Sequence, residues 1–179
     1  ATYRQGARQE IRLRELDPAN RLLGRGPRWR MPSWMIRDHA LAASGLLVSR
    51  VGGPSVKPYQ PKGVWAEATF GKMRYSQDKG ENLYRRSLYT FWRRIIGPTI
   101  FFDTAKRQTC EVRKILTNTP LHALATLNDI TYVEAARALA QRVLEKAGPE
   151  PADRVTMAFR IATCRRPDAA ELKILLGRL

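Results

Sequence analysis

The sequence is short of the residues on which most catalytic and metal centres depend. It has two histidines and two cysteines in 179 residues. Cys110 and Cys164 stand far apart, which excludes a CxxC redox pair, a zinc knuckle and a CxxCH haem-attachment run within this chain; one long-range disulfide or two free thiols remain open. Acid is scarce as well, with 16 Asp plus Glu against 32 Lys plus Arg and a formal charge of +16. No apolar run approaches the roughly 18 to 20 residues of a membrane span. No block of five or six consecutive cations marks a polybasic tail. GxGxxG and GxxxxGK[ST] phosphate loops are missing, so Gly24-Arg25-Gly26-Pro27 and Gly52-Gly53-Pro54-Ser55 read as turns. The chain opens at Ala1 without a charged n-region or an apolar h-region, and it reads as a cut end, with any targeting signal lost upstream.

What is present is a hydrophobic content of 44%, enough for a packed core and too much for a disordered basic tail. The length suits a single domain, 1–179. Arg supplies 24 of the cations and Lys only 8. Planar, permanently charged guanidinium groups suit phosphates, carboxylates and acidic protein faces. The charge is uneven: residues 61–120 hold 12 cations and 5 anions, whereas 121–179 hold 9 and 7. The division expected is a basic loop-and-helix part over 1–120 and a helical scaffold over 121–179. Charge alone suggests nucleic acid, but no helix-turn-helix, zinc finger or RNP signature accompanies it.

Helical periodicity and stop signals predict a mainly α fold of short antiparallel helices. A polar coil or short helix runs to Asp17-Pro18. A helix over about 34–48, with Ser33 as cap, places Ile36, Ala40, Ala43 and Leu47 on one face. Prolines and glycines crowd residues 50–80, interleaved with Tyr59, Trp65, Phe70 and Tyr75. This predicts a long aromatic-pinned loop with at most a small β-hairpin near 65–77.

Residues 81–96 return to helical spacing, with Tyr84, Leu88, Phe91 and Ile95 as the core stripe and Arg85, Tyr89 and Arg93 as a basic face joined by Arg86 and Arg94. Thr119-Pro120 starts the next helix, with Leu121, Leu124, Ala125 and Asn128 on a shared face. Residues 130–146 follow with Val133, Ala136, Ala140 and Leu144 in register. Pro151 begins a helix carrying Val155, Ala158, Phe159 and Ala162. A capping box at Asp168 and Glu171 opens the last, with Leu172, Leu175, Leu176 and Leu179.

No catalytic constellation emerges. His39 lies on an apolar stripe, as a satisfied core or boundary histidine does, and His122 has no nucleophile nearby in sequence. Asp17, Asp38, Asp78 and Asp103 are isolated from one another, so no metal site is assigned.

Several ordered phrases nevertheless resemble one pattern: Thr2-Tyr3-Arg4-Gln5, DPANRLLGRGPRWRM at 17–31, IRDHALAASGLL at 36–47, GGPSVKPYQPKGVW at 52–65, GENLYRRSLYTFWRR at 80–94, TCEVRKILTNTPLHALATLND at 109–129 and VEAARALAQRV at 133–143. They resemble the domain of unknown function DUF 1553, common in exported proteins of planctomycetes and related bacteria. Position 122 is usually Gln in the family phrase, and Thr104-Ala105-Lys106 departs from it.

The resemblance implies the C-terminal portion of a larger domain in an exported, periplasmic or otherwise secreted protein. Such proteins often carry a c-type cytochrome domain upstream, so haem c belongs to an upstream domain and no cofactor to this chain. The family supplies no established reaction. The expected role is a non-haem accessory domain that binds upstream domains of the same polypeptide, an anionic glycan or an acidic protein. The candidate contacts are Arg85, Arg86, Tyr89, Arg93, Arg107 and Arg113. The first alternative is part of an enzyme acting on polysaccharide, with Asp103, Asn118 and Asn128 in a cleft. The second is nucleic-acid binding through the basic surface.

Overall fold

A computed structural model of the chain describes residues 5–6, 11–26, 30–93, 96–98, 100–104, 110–112 and 115–179. It divides into two compact units, Ala1–Met31 and Pro32–Leu179. The architecture is mainly α, with no strand among the described residues.

The first unit contains helix α1, Ile11–Leu16, and a polar turn. Asp17 organises the turn: its carboxylate accepts from the backbone N–H groups of Arg21 and Leu22 at 2.8 Å each. Those two bonds, led by Leu22, hold its carboxyl below the ordinary value. Arg25 returns to donate to the carbonyls of Asp17 and Pro18.

The second unit contains α2 (Ser33–Ser44), α3 (Val64–Ala68), two 3₁₀ turns (Gly80–Tyr84 and Ser87–Tyr89), α4 (Pro120–Asn128), α5 (Ile130–Lys146), α6 (Pro151–Thr163) and α7 (Ala169–Leu176). Helix α2 packs along α5, which also meets α4 and α6; α7 lies on α6. Helix ends follow local chemistry. Pro120 and Pro151 occupy first helical turns, and Asp129 caps α5 by accepting from Thr131 N–H at 2.9 Å. The Asp168–Glu171 capping box forms at α7 as its sequence predicts. Ser33 does not cap α2. Pro32 holds that position, and the Ser33 hydroxyl donates to the Phe102 carbonyl at 2.8 Å instead. Gly45, at φ 84°, ends α2 in the left-handed region. Arg142 of α5 reaches across to donate to the Ala43 carbonyl at 2.7 Å, so a tertiary contact completes the cap.

The 50–80 segment is largely a loop, as its prolines predict, and no hairpin forms near 65–77. The five-residue α3 occupies part of it, between Pro61 and Gly71. Trp65 pins the segment, stacking on Tyr75 and Phe91 at 5.3 and 5.7 Å and donating its indole N–H to Gln60. Phe70 stays exposed.

The helix expected over 81–96 is absent from the described residues there. Arg85 and Thr90 instead make parallel bridges to Val48 and Val56. The carbonyls of Tyr84 and Tyr89 accept from the N–H groups of Val48 and Val56, and those of Leu83 and Arg85 accept from the Arg37 guanidinium. Acceptors that an α-helix would use locally are taken by residues far away in sequence. The expected burial inverts accordingly: Leu88 is 78% exposed and Arg85 is fully buried. Ile95 and Arg94 lie outside the described residues.

On α2 the buried positions are Ser33, Arg37, Leu41 and Ser44, one step round from the stripe expected. On α5 they are Thr131, Tyr132, Ala135 and Val143. The stripe expected to face the core has Val133 at 53% and Leu144 at 61% exposure, and Ala136 and Ala140 are exposed too. Tyr132 buries more area than any residue of that stripe, and burial pushes its hydroxyl up to about 12.

Candidate functional site

Among the described residues of the second unit two guanidinium groups are fully buried, and each is a backbone clamp. Arg37 donates to the carbonyls of Arg85 and Leu83 at 2.9 and 2.8 Å and to the Ser87 hydroxyl at 3.1 Å. Burial pulls its pKa down, opposed chiefly by Asp38. Arg85 donates to the carbonyls of Arg50, Gly52 and Pro54. Its guanidinium lies 3.9 Å from the Tyr89 ring centroid, and the Tyr89 hydroxyl accepts from Gly52 N–H. Arg85 and Tyr89, expected on an exposed binding face, are thus committed to holding residues 50–54.

Arg86 remains outside. It lines a cleft of about 520 Å³ with Trp34, Asp38, Thr90, Trp92 and Phe101. Helix α2 supplies Trp34 and Asp38, and the extended segment around the second 3₁₀ turn supplies Arg86 and Thr90. Asp38 Oδ1 accepts from both the backbone N–H and the hydroxyl of Ser87, at 2.8 and 2.7 Å. Oδ2 faces Arg86 Nε at 4.0 Å, beyond hydrogen-bond reach. Trp92 packs on Phe101, with ring centroids 5.7 Å apart. Gly97 makes room for that indole: a Cβ there would stand 3.1 Å from two of its carbons.

Asp103 belongs to a neighbouring cluster. Its carboxylate accepts from the backbone N–H and the hydroxyl of Thr117 at 2.7 Å each, and Oδ1 lies 3.9 Å from His122 Nε2. The His122 ring stacks on Phe102 at 4.1 Å, and its Nδ1 faces Thr119 N–H at 3.5 Å across the α4 capping box. No hydrogen bond among the described residues joins Asp103 to Asn118 or Asn128; Asn128 donates to the Leu124 carbonyl of its own helix. Arg93 is exposed and donates to the Met73 sulfur. Arg107 and Arg113 lie outside the described residues. His39 is exposed, with Nε2 3.1 Å from the Ala162 carbonyl, so it joins α2 to α6 and does not sit in the core.

Helices α4 and α5 present an apolar surface to solvent. Leu121, Leu124, Leu127, Ile130, Val133 and Leu144 are all more than half exposed. Periodicity identified most of these side chains, yet it could not say that their face points outward.

The family model described as PSD1: Protein of unknown function (DUF1553) matches residues 1–179. The chain belongs to the DUF1553 family. No curated protein and no solved structure matches it. His122 is the third helical residue of the α4 capping box. A c-type haem does not fit this DUF1553 chain: attachment needs two cysteines and a histidine in one short run, and Cys110 and Cys164 are exposed and distant in sequence. Among the described residues no three His, Cys, Asp or Glu side chains gather as a metal site, and no helix is long and apolar enough to cross a membrane.

Proposed function

We propose that the chain is a helical accessory module of an exported multidomain protein, and that its α4–α5 face packs against an upstream domain of the same polypeptide. The observation that carries this reading is the outward register of α5, where Val133, Ala136, Ala140 and Leu144 face away from α2. An amphipathic helix of a self-contained bundle turns its apolar stripe inward. Each Leu, Ile or Val of this surface is already partly covered and gains about 1–2 kcal/mol when the rest is buried, which favours a permanent partner. Membership of DUF1553 supports the exported, multidomain setting that the sequence resemblance implies, with haem c, where present, in an upstream domain.

Arg85 is buried, which leaves Arg86 and Arg93 as the exposed cations among the described residues of the 81–96 segment. The test is maleimide labelling in the full-length protein with Cys110 and Cys164 replaced by Ser. A Val133→Cys variant is expected to label at least about tenfold more slowly than Lys146→Cys, because the first lies under the partner domain. Equal rates would overturn the docking. Protection that depends on protein concentration would assign the face to a second copy instead. Fractionation of cells expressing the full-length protein checks export.

A further inference from the structure

Given the α4–α5 docking proposed above, on which this rests, we infer that the element seated on α5 is an amphipathic helix of the upstream domain, with a carboxylate placed against Arg137. Its seam on α5 is Ile130, Val133, Arg137, Ala140 and Leu144.

Spacing sets the shape of the occupant. The five positions are separated by three, four, three and four residues, the heptad spacing through which one helix meets another. At about 3.6 residues per turn they lie opposite Thr131, Tyr132, Ala135 and Val143, the buried side of α5. Ile130, Val133 and Leu144 are more than half exposed, and Ala140 is exposed with them. The small side chains of Ala136 and Ala140, one turn apart, keep the middle of this surface shallow, so a second helix axis comes close there. An extended strand, with its period of two, does not stay in register with such a seam. Helix α4 continues the same uncharged surface, since it has no Asp, Glu, Lys or Arg and no buried residue.

Charge sets the chemistry of the occupant. Arg137 stands at the middle of the seam and is its one charged residue. It is exposed and makes no hydrogen bond or ion pair among the described residues. Its neighbours are engaged: Glu134 accepts from the Tyr84 hydroxyl at 2.7 Å, Arg142 donates to the Ala43 carbonyl, and Glu145 accepts from Gln141. Covering a guanidinium without an anion is costly, whereas a carboxylate opposite it meets the planar fork with charge-assisted bonds. A second copy is disfavoured on the same ground. Pairing two α5 seams, parallel in register or antiparallel about their middle, brings the two Arg137 groups together. Two heptads form a short seam, and a partner in the same polypeptide supplies the effective concentration that a short seam needs.

The test varies Arg137 in the full-length protein that carries Val133→Cys, with Cys110 and Cys164 replaced by Ser and Lys146→Cys as the exposed reference. Arg137 makes no bond within this chain, so its replacement leaves the local fold in place. Arg137→Glu is expected to speed maleimide labelling at Val133→Cys at least about tenfold, and Arg137→Leu to speed it by less. Slower labelling in Arg137→Leu is the result an uncharged partner gives, and it would overturn the carboxylate while leaving the docking intact. Equal rates at Val133→Cys and Lys146→Cys with Arg137 retained would instead remove the docking itself. Arg137→Lys puts an amine at the middle of the seam, and a water-soluble carbodiimide is expected to join it to an Asp or Glu of the upstream domain, in a segment of helical apolar spacing mapped by peptide mass spectrometry. A join only to carboxylates of this chain, a join between isotope-labelled and unlabelled copies, or none at all would overturn the inference.

Discussion

Replacing Arg85 and Arg86 separately distinguishes a clamp from a surface charge at adjacent positions. Arg85 makes three hydrogen bonds to backbone carbonyls and lies over Tyr89. At about 1 kcal/mol net per bond and about 2 kcal/mol for a desolvated cation–π contact, the gross contribution is about 5 kcal/mol. The acceptors belong to Arg50, Gly52 and Pro54, all in exposed residues that water reaches once the guanidinium is gone. The expected net loss for Arg85→Ala is therefore about 3 kcal/mol. Arg86→Ala breaks only a 4.0 Å ion pair at the surface and should cost under about 0.5 kcal/mol.

Urea unfolding followed by far-ultraviolet circular dichroism measures both variants. For a unit of this size the Arg85 loss corresponds to a fall in Tm of roughly 6–12 °C. Arg85→Lys keeps the charge but cannot span three carbonyls with one ammonium, so it should recover less than half of the loss. Equal urea midpoints for the two alanine variants, or full recovery by lysine, would refute the clamp.

Three further outcomes are expected. The Arg165 guanidinium, followed by the Asp168 backbone N–H, holds the Glu171 carboxyl down to about 2 from 4.5; a lowered carboxyl stabilises the fold above 4.5 and loses that contribution as pH falls toward 2, and an NMR titration should show Glu171 moving back toward 4.5 in Arg165→Ala. Gly97→Ala places a methyl 3.1 Å from the Trp92 indole, so tryptophan fluorescence should shift and stability fall by about 1–3 kcal/mol; an unchanged spectrum would contradict the close packing. Arg142→Ala removes the bond to the Ala43 carbonyl, and calorimetry should register a loss of about 1 kcal/mol.

Local chemistry alone determined the mainly α character and most helix boundaries. Thr119-Pro120, Asp129, Pro151 and the Asp168–Glu171 box act within one turn, and a bond between near neighbours is the same in any tertiary context. The helix predicted over 34–48 stops earlier, at Ser44, where Gly45 turns left-handed and Arg142 completes the cap from α5. Tertiary structure decided the rest, for an equally physical reason. Residues 81–96 have a helical period, but Val48, Val56 and Arg37 claim the carbonyls of Leu83, Tyr84, Arg85 and Tyr89 from afar, and no period in 81–96 records those donors.

The same limit hid the cleft. Asp38 and Arg86 stand far apart in sequence and are brought close by Arg37, which clamps the carbonyl of Arg85, and by the two bonds from Ser87 to Asp38. Periodicity identified the apolar residues of α5, while packing against α2 chose which of its faces turned inward. The sequence set how much arginine the chain carries; only the fold determined that Arg37 and Arg85 hold backbone while Arg86 stays at the surface.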